Sequence, residues 1–324
     1  MVQNFENILL PNVKSKISLL LNGEKPGIIG CTDVRNNVDG DSFFAYLSNG
    51  PSNGGLKTGE NPQPLKAVFH FVLCSVSLRI IKPKAYHDAI AIDDKITHDL
   101  AKVLGNSLLE LAESEVIRGA FGENTVGSNS SPSTKNFDPN MIIPVDYKSS
   151  PSSTTSVAEK IGFAFATLHG KCGNVDTSEL FLALTSGACE SLWNDIRMAD
   201  NGSFQFANIE NRSLTHFAGF KIVICDHLPG GKNSPKEFDD EGKMIAKDSI
   251  PLKTVSTAPG SKDKVKSYAL FWERSGLVTA FWKDVKVALQ THDDRCGAQS
   301  MYASFKLGAC RSDESRVGYI EIDV

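Results

Sequence analysis

Ser42 has the local motif of a serine nucleophile. It follows Gly40-Asp41, and His292-Asp293-Asp294 lies far downstream. A serine hydroxyl attacks a carbonyl only when a histidine takes its proton and an acid orients that histidine, so the residue types for acyl transfer are present. Their setting is wrong. A nucleophile belongs on a sharp turn between a core strand and a helix, with a second block of donors for the oxyanion. Ser42 instead lies in a stretch crowded with Asn36-Asn37, Asp39-Gly40, Asn49-Gly50 and Gly54-Gly55, and no second block is visible. An ordinary turn is the preferred reading.

Other candidates fare no better. His216, Asp226, His227, His292, Asp293 and Asp294 offer metal-ligand chemistry, but no two sit one helical turn apart on a helix, and they read as surface and capping residues. The seven cysteines, Cys31, Cys74, Cys172, Cys189, Cys225, Cys296 and Cys310, are widely spaced with no CxxC. Several have apolar neighbours, as in Val72-Leu73-Cys74 and Val223-Ile224-Cys225, so they read as small buried hydrophobes in a reducing compartment. Gly230-Gly231-Lys232 lacks the frame of a phosphate loop. The triplets at Asn129, Asn201 and Asn211 match a glycosylation acceptor but carry no weight without a secretory route. The start, MVQNFENILLPNVKSK, lacks a signal peptide's basic and apolar regions, and no apolar run approaches the ~20 residues that span a bilayer. A cytoplasmic protein is expected. Trp193, Trp272 and Trp282 read as core or subunit-contact residues. No catalytic, cofactor-binding or metal residue and no cofactor is assigned, which points to a protein that works through its surfaces.

The elements that would shape those surfaces follow from periodicity. The chain has 324 residues, 41% hydrophobic and 22% charged, enough for a sizeable core in one lobed unit or two domains. A net charge of −4 argues against a dedicated nucleic-acid grip. Asn12 caps a short amphipathic helix through about Leu21. Residues 31–66 form an excursion from the body, and 67–81, rich in β-formers, is its return strand. The clearest helix starts at Asp93 or Asp94. Ile96, Leu100, Val103, Leu104, Leu108 and Leu111 recur at three- and four-residue steps, and Gly119 and Gly122 end it. Its length is roughly 39 Å at ~1.5 Å per residue. Residues 122–156 are punctuated by Ser, Pro, Asn and Thr, with a strand only at 141–145. A helix over 156–170, a buried strand over 180–184 and a helix capped by Thr185 or Ser186 follow. Residues 201–215 read as loop, 220–225 as strand and 229–264 as a polar surface insertion. Residues 267–271 and 276–281 are strands, 285–289 fits strand or helix, and 301–307 and 317–324 close the chain as alternating segments.

In this order the elements resemble the major capsid proteins of tailed bacteriophages, with the Hong Kong ninety-seven-type capsid fold. The residues that carry the resemblance are Lys84-Ala85-Tyr86-His87-Asp88-Ala89 with Ile92-Asp93-Asp94 at the entry to the long helix, and Ile117 to Gly122 at its exit. Leu182-Ala183-Leu184-Thr185 before the third helix, His216-Phe217-Ala218-Gly219-Phe220-Lys221-Ile222-Val223 with Leu228-Pro229, and Val317-Gly318-Tyr319-Ile320-Glu321-Ile322 complete the set. It covers about residues 80–324.

The resemblance implies an α+β fold: an N-terminal arm (1–30), an extended β-loop (31–82) and a peripheral lobe (83–150) built on a spine helix over 93–118. An axial lobe (151–300) with the insertion at 229–264 would follow, and C-terminal strands (301–324) would return to the peripheral lobe. It implies a structural protein, not an enzyme, that self-assembles as hexamers and pentamers of an icosahedral shell around phage DNA. The shell is assembled in the bacterial host cytoplasm, without membrane, and holds DNA without binding it specifically. The short arm implies a separate scaffolding protein, with a portal and in some relatives a decoration protein. Some relatives cross-link Lys to Asn through the loop. Lys57 and Lys66 lie there, but nothing marks a partner, so that chemistry is not carried over. Two alternatives stand: another virion part, a decoration or tail protein, and a hydrolase of the GDS type built on Ser42.

Overall fold

A computed structural model describes residues 27–39, 42–46, 66–70, 72–80, 94–122, 124–128, 131–135, 137–145, 147, 155–172, 175–198, 207–210, 213–231, 266–282, 286–292 and 298–323. The expected helix at 12–21, the spine-entry motif at 84–93 and all but the first residues of the 229–264 insertion lie outside these.

Three sheets and three helices make up the described chain. A five-stranded sheet holds β1 (Asp33–Val38), β13 (Leu277–Trp282), β15 (Ala298–Arg311), β14 (Lys286–His292) and β4 (Val72–Ile80). A seven-stranded sheet runs β7 (Ile142–Ile143), β16 (Val317–Asp323), β12 (Lys266–Glu273), β8 (Leu180–Leu184), β11 (Phe220–Ile224), β10 (Ser213–Phe217) and β9 (Ala207–Glu210). A separate four-stranded sheet runs β2 (Ser42–Tyr46), β3 (Lys66–His70), β5 (Asn124–Ser128) and β6 (Ser131–Lys135).

The seven-stranded sheet is covered on both faces, and its sequence shows why. All five residues of β8, LFLAL, are buried. Successive side chains on a strand point to opposite faces. Phe181 and Ala183, with Tyr268, Leu270 and Trp272 of β12, belong to a core shared with the long helix and the five-stranded sheet. Leu180, Leu182 and Leu184, with Ala269, Phe271, Ile320 and Ile322, face a second core under α2 (Val157–Cys172) and α3 (Ser186–Met198). A strand apolar on both sides is one sandwiched between layers. The helices on either side of β8 in the chain bury Ile161, Ala164, Leu168, Ala188, Leu192 and Ile196, at helical spacing, against it.

The long helix α1 is a single element, Asp94–Phe121, three residues longer than expected at its C-terminal end. Leu108, Leu109, Ala112, Val116, Ile117 and Ala120 are its buried stripe. Gly119 does not end it. A Cβ there would stand 2.4 Å from the Ala309 carbonyl oxygen, so glycine lets β15 approach the helix backbone.

Other expectations also change. Residues 31–82 are not one excursion. β1 pairs in parallel with β13, β4 pairs with β15, and Ile28 and Ile29 are fully buried, so the roots of this stretch belong to the body. Only β2 and β3 stand in the separate sheet. The polar stretch 122–156 holds the β5–β6 hairpin, and 201–215, expected as loop, holds β9 and most of β10. Backbone ladders form these strands without an apolar pattern. Of residues 285–289, 286–289 are strand, within β14, and 285 lies outside the described residues. That strand and β13, expected in the axial lobe, pair in the five-stranded sheet, whereas β16, expected to return to the peripheral lobe, joins the seven-stranded one.

Candidate functional site

The chain crosses between the two large sheets at Arg274–Gly276, from β12 to β13, and at Ser312–Arg316, from β15 to β16. The two crossovers lie against each other. Ser312 N donates to Gly276 O at 2.9 Å and Glu273 N to Arg316 O at 3.0 Å. Gly276 is needed for this closeness, since a Cβ there would stand 2.8 Å from the Arg316 Cβ. Arg316 Nη1 donates to Glu273, and its Nε donates to Asp313 Oδ2 at 3.1 Å. Burial works against the Arg316 charge, but Glu273 and Asp313 outweigh it and raise its pKa. Asp313 Oδ1 accepts from Ser315 N and Oγ, and the Cys172 thiol, its pKa pushed up by burial, donates to Ser315 O at 3.1 Å. The last residue of α2 is thereby tied to the same junction.

Beside the crossovers, Arg311 is fully buried. Its Nε donates to Glu314 Oε2 at 2.8 Å, and its Nη1 donates to Ala120 O at 2.6 Å and to Gly122 O. These carbonyls end α1, where the helix dipole favours a cation and the last backbone acceptors need partners. The guanidinium lies 4.6 Å from the Phe137 ring centroid. Asn124, buried and first in β5, donates from Nδ2 to Arg311 O and to Glu314 Oε1, each at 2.9 Å. Arginine suits this post because its planar fork serves several acceptors at once and its weak hydration tolerates burial. The locus is a joint rather than a reaction centre. Arg311 Nη2 is buried without a hydrogen-bond partner, but Nε and Nη1 are committed to Glu314 and to the end of α1, and with Asn124 they fix the end of α1, the start of β5 and both large sheets.

A second, half-buried polar contact lies along α1. Glu113 accepts the Ile28 N–H. Gly27, at φ +65°, leaves room for its carboxylate. Burial raises the Glu113 pKa, with the Ile28 bond and the nearby His227 pulling the other way. His227 Nδ1 is 3.5 Å from Ser114 Oγ.

The residues weighed for chemistry are scattered. Ser42 opens β2, paired with His70 of β3 in the separate sheet, not on a strand-to-helix turn. His292 ends β14 in another sheet, and Asp293 and Asp294 lie outside the described residues. Asp226 Oδ1 accepts Ser186 N at 2.7 Å, adding a cap to α3 beside Thr185 Oγ1, which accepts Ala188 N at 3.2 Å. His216 is exposed on β10. No group of three or more potential metal ligands occurs among the described residues. Gly230-Gly231 closes a tight turn, with Gly231 N donating to Leu228 O at 2.8 Å. Trp272 is core, its Nε1 donating to Cys31 O at 2.9 Å, Trp282 is buried, and Trp193 packs against the second core. Lys66 opens β3, and Lys57 lies outside the described residues. Sequence reasoning missed the Arg311 junction. Its residues lie up to 191 positions apart, and the only signal is a charged residue directly after Gly308-Ala309-Cys310 at the end of its strand.

The sequence profile of the family described as phage capsid protein matches residues 99–324. A search of the curated proteins finds no match. Among solved structures, the capsid of the cyanophage P-SCSP1u is similar at 13% identity and a TM-score of 0.51, covering 92% of this chain and 88% of that one. The capsid of an empty GTA particle is similar at 12% identity and 0.52, covering 93% and 90%. The holo-SrpI encapsulin complex from Synechococcus elongatus is similar at 10% and 0.51, covering 90% and 85%. At these identities the likeness shows a shared fold, which the expected capsid architecture matches.

Proposed function

The chain belongs to the phage capsid protein family, the match running from within α1 to its last residue, and from that premise we propose how it does a capsid protein's work. It is a structural protein of the icosahedral shell of a tailed phage. The finer reading is ours. The body, two sheets on a spine helix, acts as a rigid tile. The four-stranded sheet and the N-terminal residues reach over neighbouring copies, and the seven-stranded sheet with its helices meets symmetry mates at hexamer and pentamer centres. Head-to-tail contacts about such axes close into rings, and many modest interfaces let a shell correct errors before it seals.

The observation that carries this reading is the separate four-stranded sheet. It shares no strand with either large sheet, which is what a flap laid over a neighbouring copy requires. The net charge of −4 suits a wall that encloses DNA without gripping it. A separate scaffolding protein, a portal, an optional decoration protein and assembly in the host cytoplasm belong to the proposal, as does the absence of enzymatic activity. Electron microscopy of the expressed full chain in negative stain tests it. Closed particles, tubes or capsomer rings are expected. A monomer that persists at high concentration, alone and with a candidate scaffold, overturns the reading.

A further inference from the structure

Side chains grip the four-stranded sheet at the point where the chain enters it from the body. β5 begins at Asn124, just beyond the end of α1, and joins β3 through the pair Ala67↔Val126. Asn124 is 3% exposed and gives both of its observed bonds from one planar amide, to Arg311 O and to Glu314 Oε1. Arg311 is in turn committed to the last carbonyls of α1. A continuous path of hydrogen bonds therefore runs from the end of the spine helix to the first residue of β5. Two bonds from one amide fix its position and plane, which restrains the strand at this root. β6 is paired to β5 and β2 to β3, so all four strands are connected to Asn124, while β3 is also tied to the body through β4, which follows it after a single residue.

We propose that Asn124 is a positioning residue for assembly: with Arg311 and Glu314 it sets the angle at which the four-stranded sheet leaves the body, and through that angle the curvature of the shell. The inference rests on the shell reading above. In a closed assembly every copy repeats the same contact, so a small angular change recurs at each subunit. Rotations that no longer close give open or helical products in place of rings. Arg311 and Glu314 are too deeply buried to test this cleanly, because removing either leaves the other as an uncompensated charge.

The test compares the parent full chain with Asn124→Ala and with Leu184→Ala. Leu184 is fully buried in the second core, away from the junction, and its truncation weakens the subunit by opening a cavity. Particle diameters are measured by electron microscopy and subunit stability by thermal melting. Asn124→Ala is expected to fold with a lower melting temperature and to yield tubes, open sheets or a broadened or shifted diameter. Leu184→Ala is expected to yield fewer particles of the parental diameter. The proposal is overturned if Asn124→Ala particles match the parent, or if Leu184→Ala gives the same aberrant products, since stability alone would then explain them. Should Asn124→Ala fail to fold, Asn124→Ser is read by the same criteria. Hydrogen exchange on free subunits gives a second readout: faster exchange over 124–128 and 66–70, with 180–184 unchanged, is expected, and unchanged protection of 124–128 defeats the positioning role. A parent that forms no assembly, alone and with a candidate scaffold, defeats the shell reading itself, and the exchange experiment then decides the junction alone.

Discussion

Ala218 holds φ +48°, and Gly219 follows at φ +87°, in the two-residue loop between β10 and β11. Positive φ at both loop positions is the geometry of a type I′ hairpin, which favours Asn-Gly. A residue with a Cβ pays roughly 1–2 kcal/mol to sit there, and Asn is among the few that tolerate it. Ala218→Asn is therefore expected to stabilise the subunit by about 1 kcal/mol, seen as a higher urea midpoint with an unchanged slope. Glu113 makes a second prediction with the opposite logic. Its carboxyl pKa is raised, chiefly by burial, so the folded state holds the proton more tightly than the unfolded chain. The contribution of such a group is most favourable below the unfolded value and is lost as pH rises through the folded value. Glu113→Gln keeps an acceptor for Ile28 N–H and removes the half-buried charge. Urea midpoints should favour the Gln form above neutrality, and the gap should close as pH falls towards the ordinary glutamate range. A gap that widens on acidification would show that the charge, not the neutral acid, is the form the fold prefers.

Two glycines on helices are expected to respond to alanine with opposite signs. In an exposed helix interior, Gly to Ala gains up to about 1 kcal/mol from helix propensity alone. Gly162 of α2 is exposed, with no atom within 4 Å of where its Cβ would be, so Gly162→Ala should stabilise the free subunit by about that amount. Gly119 of α1 has the Ala309 carbonyl oxygen at 2.4 Å and its carbon at 2.7 Å, both backbone atoms of β15. Backbone cannot rotate away, and overpacking typically costs about 1–3 kcal/mol, so the clash outweighs the propensity and Gly119→Ala should destabilise. Equal shifts in chemical denaturation for the two variants would contradict this account. The same residue shows how far the elements were legible. The leucine stripe of α1 announced a helix at the right place, and LFLAL announced a strand buried on both faces. Gly119 was misread as a stop because its reason lies nearly two hundred residues away, in β15. SPSTK of β6 and the start of β1 were misread because ladder hydrogen bonds hold them, and those bonds leave no trace in hydrophobic periodicity. The junction at Arg311 was illegible for the same reason: Asn124, Arg311 and Glu314 are ordinary residues until three distant elements bring them together.

At the scale of the molecule, each subunit brings −4 to a shell that repeats it many times. Like net charge opposes association, and the opposition is screened over about 8 Å at physiological salt but over only about 3 Å at 1 M. Apolar contacts between subunits do not weaken with sodium chloride over this range, because they draw on water exclusion rather than on charge. If assembly rests on many modest, largely apolar interfaces working against a common charge, added salt removes the opposing part and leaves the driving part. The protein concentration at which light scattering reports assembly should therefore fall as sodium chloride rises from 0.05 to about 0.5 M. Interfaces built mainly from opposite-charge pairs predict the reverse, since the same screening would weaken them. An onset that moves to higher concentration with salt would locate the cohesion of the shell in ion pairs, and the reach of the four-stranded sheet over its neighbours would then need an electrostatic explanation.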